Sequence, residues 1–270
     1  MLKELVEEEL SRPYEVKTHV KLSGGIVTGA GDSFAAALSL EGKSRGKFRA
    51  MDPEELLEVD LAQPLVIVSV SGRPKLNVEV ARKFKGKARV VVVTSNTSSE
   101  LARLADDLVI LPYAPRDRLP GTLSFMMTLS ALYSIGGYST TTSCETRPLE
   151  LGFNPFFVGS GENYGVAYFS YLKWAEFLGQ WTNYERFEQF CHAPIFTTRG
   201  RDVVLLDRGE RREALKRYVK FARILETGSE DPFCNSLSVI RAVLRLAGEK
   251  PYFLTDEEIL EASSVMIYGE

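Results

Sequence analysis

The stretch that most constrains this chain is residues 62–84, AQPLVIVSVSGRPKLNVEVARKF. Pro64 to Val70 is an apolar, β-branched run of strand length, and Leu76, Val80 and Phe84 follow at helical spacing. Between them stand Ser69, Ser71 and Gly72. The pattern predicts a buried parallel strand, a hydroxyl-rich turn and a helix. Such a turn feeds a helix N-terminus, where free backbone N–H groups and the positive dipole end face an anion. An ordinary strand-to-helix connection reads the same way, so this stretch alone leaves binding open.

Similar units flank it. Gly25 to Thr28 reads as a short strand and GAGDSFAAALSL follows. Gly29 and Gly31 permit a tight turn close to a ligand. Asp32 and Ser33 are good N-cap types, and Phe34 to Leu40 predicts a closely packed helix. In ARVVVVTSNTSSELARLADDLVIL, Val90 to Val93 predicts a buried strand and Thr94 to Ser99 a polar loop. Glu100 to Ala105 then predicts a short helix, and Leu108 to Leu111 a further strand. This alternation argues a parallel sheet covered by helices on both faces.

Residues 112–122 form a turn-rich connector, Leu123 to Ile135 an apolar helix, and the Gly/Thr-rich stretch 136–154 a domain boundary. The pattern then recurs. NPFFVGSGENYGVAYFSYLKWAEFL repeats the strand, glycine turn and helix, and DVVLLD at 202–207 repeats the apolar strand. Glu210 to Phe221 predicts a charged helix, Arg223 to Glu226 a strand, and Asp231 to Leu246 a helix opened by Pro232. Two α/β domains are expected, residues 1–145 and 146–270, each of ordinary domain size.

Composition narrows the class. With 44% hydrophobic and 26% charged residues the chain reads as an ordinary globular protein. A net charge of −3 gives no electrostatic case for nucleic acid. Cys144, Cys191 and Cys234 are odd in number and widely spaced, so neither a zinc pattern nor a disulfide framework is expected, and a reducing interior is. MLKELVEEELSRP is too acidic for a signal peptide and predicts a helix ended by Pro13. No apolar run approaches the ~20 residues that span a bilayer. A cytoplasmic protein without metal, cofactor or membrane partner is the expectation.

GAGDSF resembles the GAGD signature of ribokinase-like sugar kinases, but that motif lies late in those chains and here sits at residues 29–34. Taken together, GAGDSFAAAL, SVSGRP and TSNTSSELARLADDLVIL resemble the SIS (sugar isomerase) family of phosphosugar-binding domains. VGSGENYGVAYFSYLKWAEF and ERFEQFCHAP are similar in order and spacing to the second domain of two-domain members, such as the isomerase part of glucosamine-6-phosphate synthase and archaeal phosphoglucose/phosphomannose isomerases. The resemblance implies a three-layer αβα flavodoxin-like fold with a parallel sheet in each half. It implies a homodimer, and a sugar phosphate cradled by Ser69, Ser71 and Gly72. Gly31, Ser33, Thr94 and Ser99 would line the same crevice. Pro74 stands where the family loop carries Thr, and Arg73 is added beside it as a phosphate-binding charge.

Aldose–ketose isomerisation needs a phosphate anchor, a ring-opening group and a carboxylate that moves a proton between C1 and C2. By resemblance Glu176 is the proton-transfer base and His192 the ring-opening group, with Glu188 and Glu185 as further carboxylates. The family's C-terminal Lys is Ser263 here. Glu176 lies ~22 Å along its helix from Gly161. It must therefore serve the other half or a partner subunit. A plain ion pair with Lys173 is the alternative for Glu176, and a surface position the alternative for His192. A phosphosugar sensor without chemistry is the second functional reading, and the kinase the third.

Overall fold

The computed structural model describes residues 2–114 and 119–269, so 115–118 of the expected connector lie outside the described residues. The first half runs α1 (Leu2–Leu10), β1 (Gly25–Gly29), α2 (Asp32–Ser44), β2 (Phe48–Ala50), α3 (Pro53–Leu57) and β3 (Leu65–Val68). It continues with α4 (Lys75–Phe84), β4 (Val90–Thr94), α5 (Glu100–Leu104), β5 (Asp107–Ile110) and α6 (Leu123–Ile135). The second half runs β6 (Phe156–Val158), α7 (Glu162–Leu178), β7 (Asn183–Glu185), α8 (Phe187–His192) and β8 (Asp202–Leu205). It ends with α9 (Glu210–Tyr218), β9 (Arg223–Glu226), α10 (Pro232–Leu246) and α11 (Glu257–Tyr268).

The strands form two parallel sheets, ordered β2-β1-β3-β4-β5 and β7-β6-β8-β9. Both orders step outward from the first strand in opposite directions, the flavodoxin-like arrangement. The central strands are buried on both faces, as Leu65–Val68 and Val90–Thr94 demand by their unbroken apolar runs. The edge strands β2 and β7 have only three residues each and carry no such run, which is why periodicity did not reveal them.

One hydrophobic cluster joins the halves. It contains Val66, Val91 and Val93 of the first sheet, Phe157 and Val204 of the second, and much of α2, α6, α7 and α10. All thirteen residues of α6 are buried, so its all-round apolar character reflects a fully enclosed helix. Helices α2 and α7 pack antiparallel and unusually close. A Cβ on Gly165 would sit 2.3 Å from the Ala35 carbonyl oxygen, and one on Gly42 would sit 2.1 Å from the carbonyl carbon of Gly161. Only glycine fits at those two crossings.

Two expectations need correction. Cys144 and Cys234 form a disulfide across 90 residues, tying the 136–155 linker to α10. Wide spacing hid a pair that the fold brings together, and the cysteines no longer argue for a reducing interior. Asp32 and Ser33 do not cap α2. The cap is Gly31 at φ 57°, without a side-chain bond, and Asp32 begins the helix and turns to another partner. Among the described residues no helix is long and apolar enough to cross a membrane.

Candidate functional site

The sheet order fixes where a crevice opens. Chains leaving β1 and β3 depart to opposite sides, so the turns after these two strands part at their carboxyl ends. The glycine turn after β1 and the serine loop after β3 flank that point. Between them lies a cleft of about 290 Å³ lined by Ser33, Ser69, Ser71, Ser95, Asn77 and Glu176, with Asp32 and Pro74 in its wall. Gly29 allows the close approach, because a Cβ there would meet Ser33 Cβ at 2.6 Å and the Val68 carbonyl oxygen at 2.8 Å. Gly72, at φ 67°, turns the serine loop into α4, and its N–H donates to Ser69 Oγ at 3.0 Å.

Glu176 reaches this cleft because α7 runs antiparallel to α2. Its last turns lie beside the first turn of α2, so a residue far from its own glycine turn faces the other one. Lys173, one turn earlier, is fully enclosed; its Nζ donates to Asp32 Oδ2 at 2.9 Å and to Glu176 Oε2. The ion-pair alternative for Glu176 and its place in the cleft therefore coexist. The two carboxylates keep 21% and 33% side-chain exposure on the cleft side.

One cation faces two carboxylates, and burial makes a second negative charge costly. Desolvation raises the Asp32 pKa against the lowering pull of Lys173. For Glu176 desolvation again dominates, Lys173 offsets part of it and Asp32 adds to it, and the value is pushed up to about 7. Burial pulls the Lys173 ammonium down, but the charges of Asp32 and Glu176 outweigh it, so the ammonium is held. The Asp32–Glu176 pair, sharing one cation, can thus take up or release a proton near neutrality. Asp32 Oδ1 and Asn77 Oδ1 are buried without a hydrogen-bond partner.

The expected phosphate residues divide. Ser33, Ser69 and Ser71 line the cleft with Glu176. Gly31 adjoins it as the cap of α2, with open space where a Cβ would stand. Gly72, Arg73 and Ser99 instead border a separate depression of about 230 Å³ beside Tyr268 of α11. The Arg73 guanidinium lies 5.1 Å from the Tyr268 ring centre. Ser99 caps α5 by accepting from the Ala102 N–H and donates to the Asn96 carbonyl, so its hydroxyl is engaged. Thr94 is fully buried and donates to the Val70 carbonyl at 3.1 Å, bracing the serine loop from behind.

His192 and Glu188 do not line this cleft. They sit one turn apart on α8, exposed, with His192 Nε2 3.2 Å from Glu188 Oε1. Glu188 also receives Arg211, which holds its carboxyl below the usual range. Glu185 ends the edge strand β7. Sequence reasoning missed Lys173 as the enclosed cation behind the cleft, and Asp32, Asn77 and Ser95 in its lining. The Lys–Glu spacing of three on α7 was a visible signal for the first. Nothing local marked the others, whose roles come from a helix of the other half or from a neighbouring strand end.

The second half repeats the turn and sets a carboxylate against it. Gly161 caps α7 at φ 55° and ψ −130°, close to the φ 57° and ψ −123° of Gly31. Asp32 with Lys173 has its counterpart in Glu162 with Lys43, paired at 3.1 Å, and the residues map onto each other at one constant offset in the numbering. At the β6/β8 divide, however, Asp207 occupies the turn. Its Oδ2 accepts from the Ser160 N–H at 2.6 Å, and Arg212 braces both of its oxygens and the Ser160 hydroxyl.

No protein-family model and no curated protein matches the chain by sequence. Solved structures do match in fold. Glucosamine-6-phosphate deaminase from Thermotoga maritima superposes with a TM-score of 0.67 at 16% identity, over 90% of both chains. The C-terminal domain of glucosamine-fructose-6-phosphate aminotransferase from Francisella tularensis gives 0.64 at 13% identity, over 91% of this chain and 92% of that one. Tagatose-6-phosphate ketose/aldose isomerase from Escherichia coli gives 0.60 at 18% identity, over 91% of this chain and 87% of that one. The sugar-isomerase resemblance read from the motifs is met at the level of the fold: along most of its length the chain shares the two-sheet α/β architecture of enzymes named for phosphosugars.

Proposed function

We propose that the chain binds a hexose or aminohexose 6-phosphate and isomerises it between aldose and ketose by proton transfer between C1 and C2. The observation that carries the reading is Glu176, raised to a pKa of about 7, in the same cleft as Ser33, Ser69 and Ser71. A base with a pKa near the operating pH combines a usable ionised fraction with enough proton affinity to remove a carbon-bound proton. The serine hydroxyls and the amides at the start of α4 take the phosphate, as helix N-termini do. Lys173, enclosed behind the cleft, offsets part of the cost of charge on Glu176, and Asp32 holds Lys173 in place.

This reading takes residues 1–145 and 146–270 as two domains of one family type, with the reacting site built across them. It gives His192 and Glu188 a role only in a homodimer whose second subunit brings α8 to the cleft. A sugar phosphate does not cross a bilayer unaided, so the reading implies the cytoplasm where such metabolites form. A non-catalytic sensor is the second reading, favoured by Pro74 and Ser263 at positions where the resembling family carries Thr and Lys. Fructose 6-phosphate in deuterated water separates the two. Isomerisation predicts deuterium entry at the exchanging carbon, lost by about 10²–10⁴-fold in Glu176→Gln while sugar binding persists. Thermal stabilisation by the sugar without exchange in the wild-type protein would leave the sensor.

A further inference from the structure

A larger cavity, of about 410 Å³, lies at the opposite ends of α2 and α7 from the cleft. Leu38, Glu41, Gly42, Arg45 and Gly46 supply one wall from the end of α2, Gly161 the start of α7, and Arg49 and Arg186 the two edge strands' side. With α2 thirteen residues long, the two sites stand about 20 Å apart. Three guanidinium groups therefore converge on a space that the proton-transfer chemistry does not use.

The charges there do not cancel. Among the described residues Glu41 is the only carboxylate in the lining; its Oε2 is taken by the Ala50 N–H at 2.7 Å, and its Oε1 lies 3.8 Å from Arg186. Arg186 also stacks on Tyr164, 3.7 Å from the ring centre, which fixes its plane. Neighbouring Lys43 and Glu162 neutralise each other. Arg45 and Arg49 are exposed and make no side-chain hydrogen bond or ion pair among the described residues. Arg45 holds φ 54° at the end of α2, in the left-handed region where glycine is usual, so the backbone does not explain the residue chosen. No Cβ-sized obstruction stands over Gly161 or Gly46, which leaves the space between the arginines open.

We propose that this cavity is a second, non-catalytic site for a phosphate-bearing small molecule, held by Arg45, Arg49 and Arg186. Guanidinium pairs bind phosphate oxygens in two parallel hydrogen bonds, and a lining with three arginines and one committed carboxylate favours a dianion. The constant offset that relates Lys173 to Lys43 places Gly46 where the first cleft has Glu176, so the site lacks the proton-transfer carboxylate and binds without reacting. Free phosphate and an organic phosphomonoester share this chemistry, and the test separates them.

Isothermal titration of the full chain with inorganic phosphate, and separately with fructose 6-phosphate, reads the stoichiometry. Ser69→Ala/Ser71→Ala weakens the first cleft, and Arg45→Ala/Arg49→Ala the second; the latter side chains carry no structural bond, so folding is unaffected. The expected result is that the serine variant retains one anion equivalent. The arginine variant loses that equivalent, weakened by about tenfold or more, and keeps fructose 6-phosphate binding in the cleft. Tighter binding of fructose 6-phosphate than of phosphate to the serine variant identifies an organic ligand, and equal binding a free phosphate site. Loss of all anion binding in the serine variant, or the same titration before and after the arginine substitutions, overturns the proposal. Absence of binding in the cleft with retention at the arginines would instead remove the isomerase reading and leave this one standing.

Discussion

The two glycine turns of this molecule have nearly the same backbone and opposite contents. The first, after β1, faces an open cleft with four serines and a carboxylate of raised pKa. The second, after β6, holds the carboxylate of Asp207, braced by Arg212. A helix N-terminus that faces no ligand still has N–H groups to satisfy. The second half satisfies one with its own side chain, and the first leaves the space to solvent or substrate. Fold alone therefore does not make a binding site; the loop after the neighbouring strand decides. Serine and glycine at 69–72 leave room, whereas Leu206-Asp207-Arg208 at the corresponding loop supplies a resident anion.

The same contrast runs through the ion pairs that link α2 and α7. Lys173 is enclosed and faces two carboxylates, while Lys43 keeps 35% of its side chain exposed and pairs with Glu162. Lys173→Met should give the largest effect of the comparison, a fall in C1–C2 exchange of about 10²–10³-fold with a further rise in the Glu176 pKa. Lys43→Met should leave exchange unchanged and shift stability by less than about 1 kcal/mol, since a half-exposed pair is screened. Equal losses in both variants, by exchange assay and urea melts, would erase the distinction between the two ends.

Asp207→Ala tests the second turn. It strands Arg212, whose pair with Asp207 is 12–15% exposed, and should destabilise the chain by about 2–3 kcal/mol in urea unfolding. Added phosphate should recover part of that loss by taking the vacated place; no recovery would mean that the turn is a structural joint alone.

The smallest effect sharpens the open site. Glu176 moves from 4.5 when unfolded to about 7 when folded. Between these values the native chain binds more protons than the unfolded one, so this group's contribution to stability is complete below about pH 4.5. It is lost as pH rises to about 7. Wild type minus Glu176→Gln, measured by thermal melts across that range, should decline with rising pH. Turnover should climb through the same region as the base ionises, and a flat difference would place the titration elsewhere.

Much of this was legible in the chain. Continuous apolar runs such as 65–68 and 90–94 admit few structures other than buried parallel strands, and alternation with helices supplies the layers. The helix expected at 123–135 is found at those residues, because thirteen positions without a single charge, most of them apolar, have one stable environment. Short edges escaped notice, since a three-residue strand carries no period. So did the Cys144–Cys234 disulfide, whose partners are separated by most of the second half.

The sequence by itself determined the central strands, the longer helices, the parallel pairing and the hydroxyl-rich turn, because each follows from local periodicity and residue type. Only the tertiary structure decided that Asp32 would hold a lysine from the other half, that Glu176 would face the first cleft, and that Asp207 would fill the second. Those outcomes depend on the close antiparallel contact of α2 with α7 and on which loops meet at each sheet's divide. Contacts between distant residues carry no periodic signature, and the electrostatics of a buried group exist only once its neighbours have been brought around it.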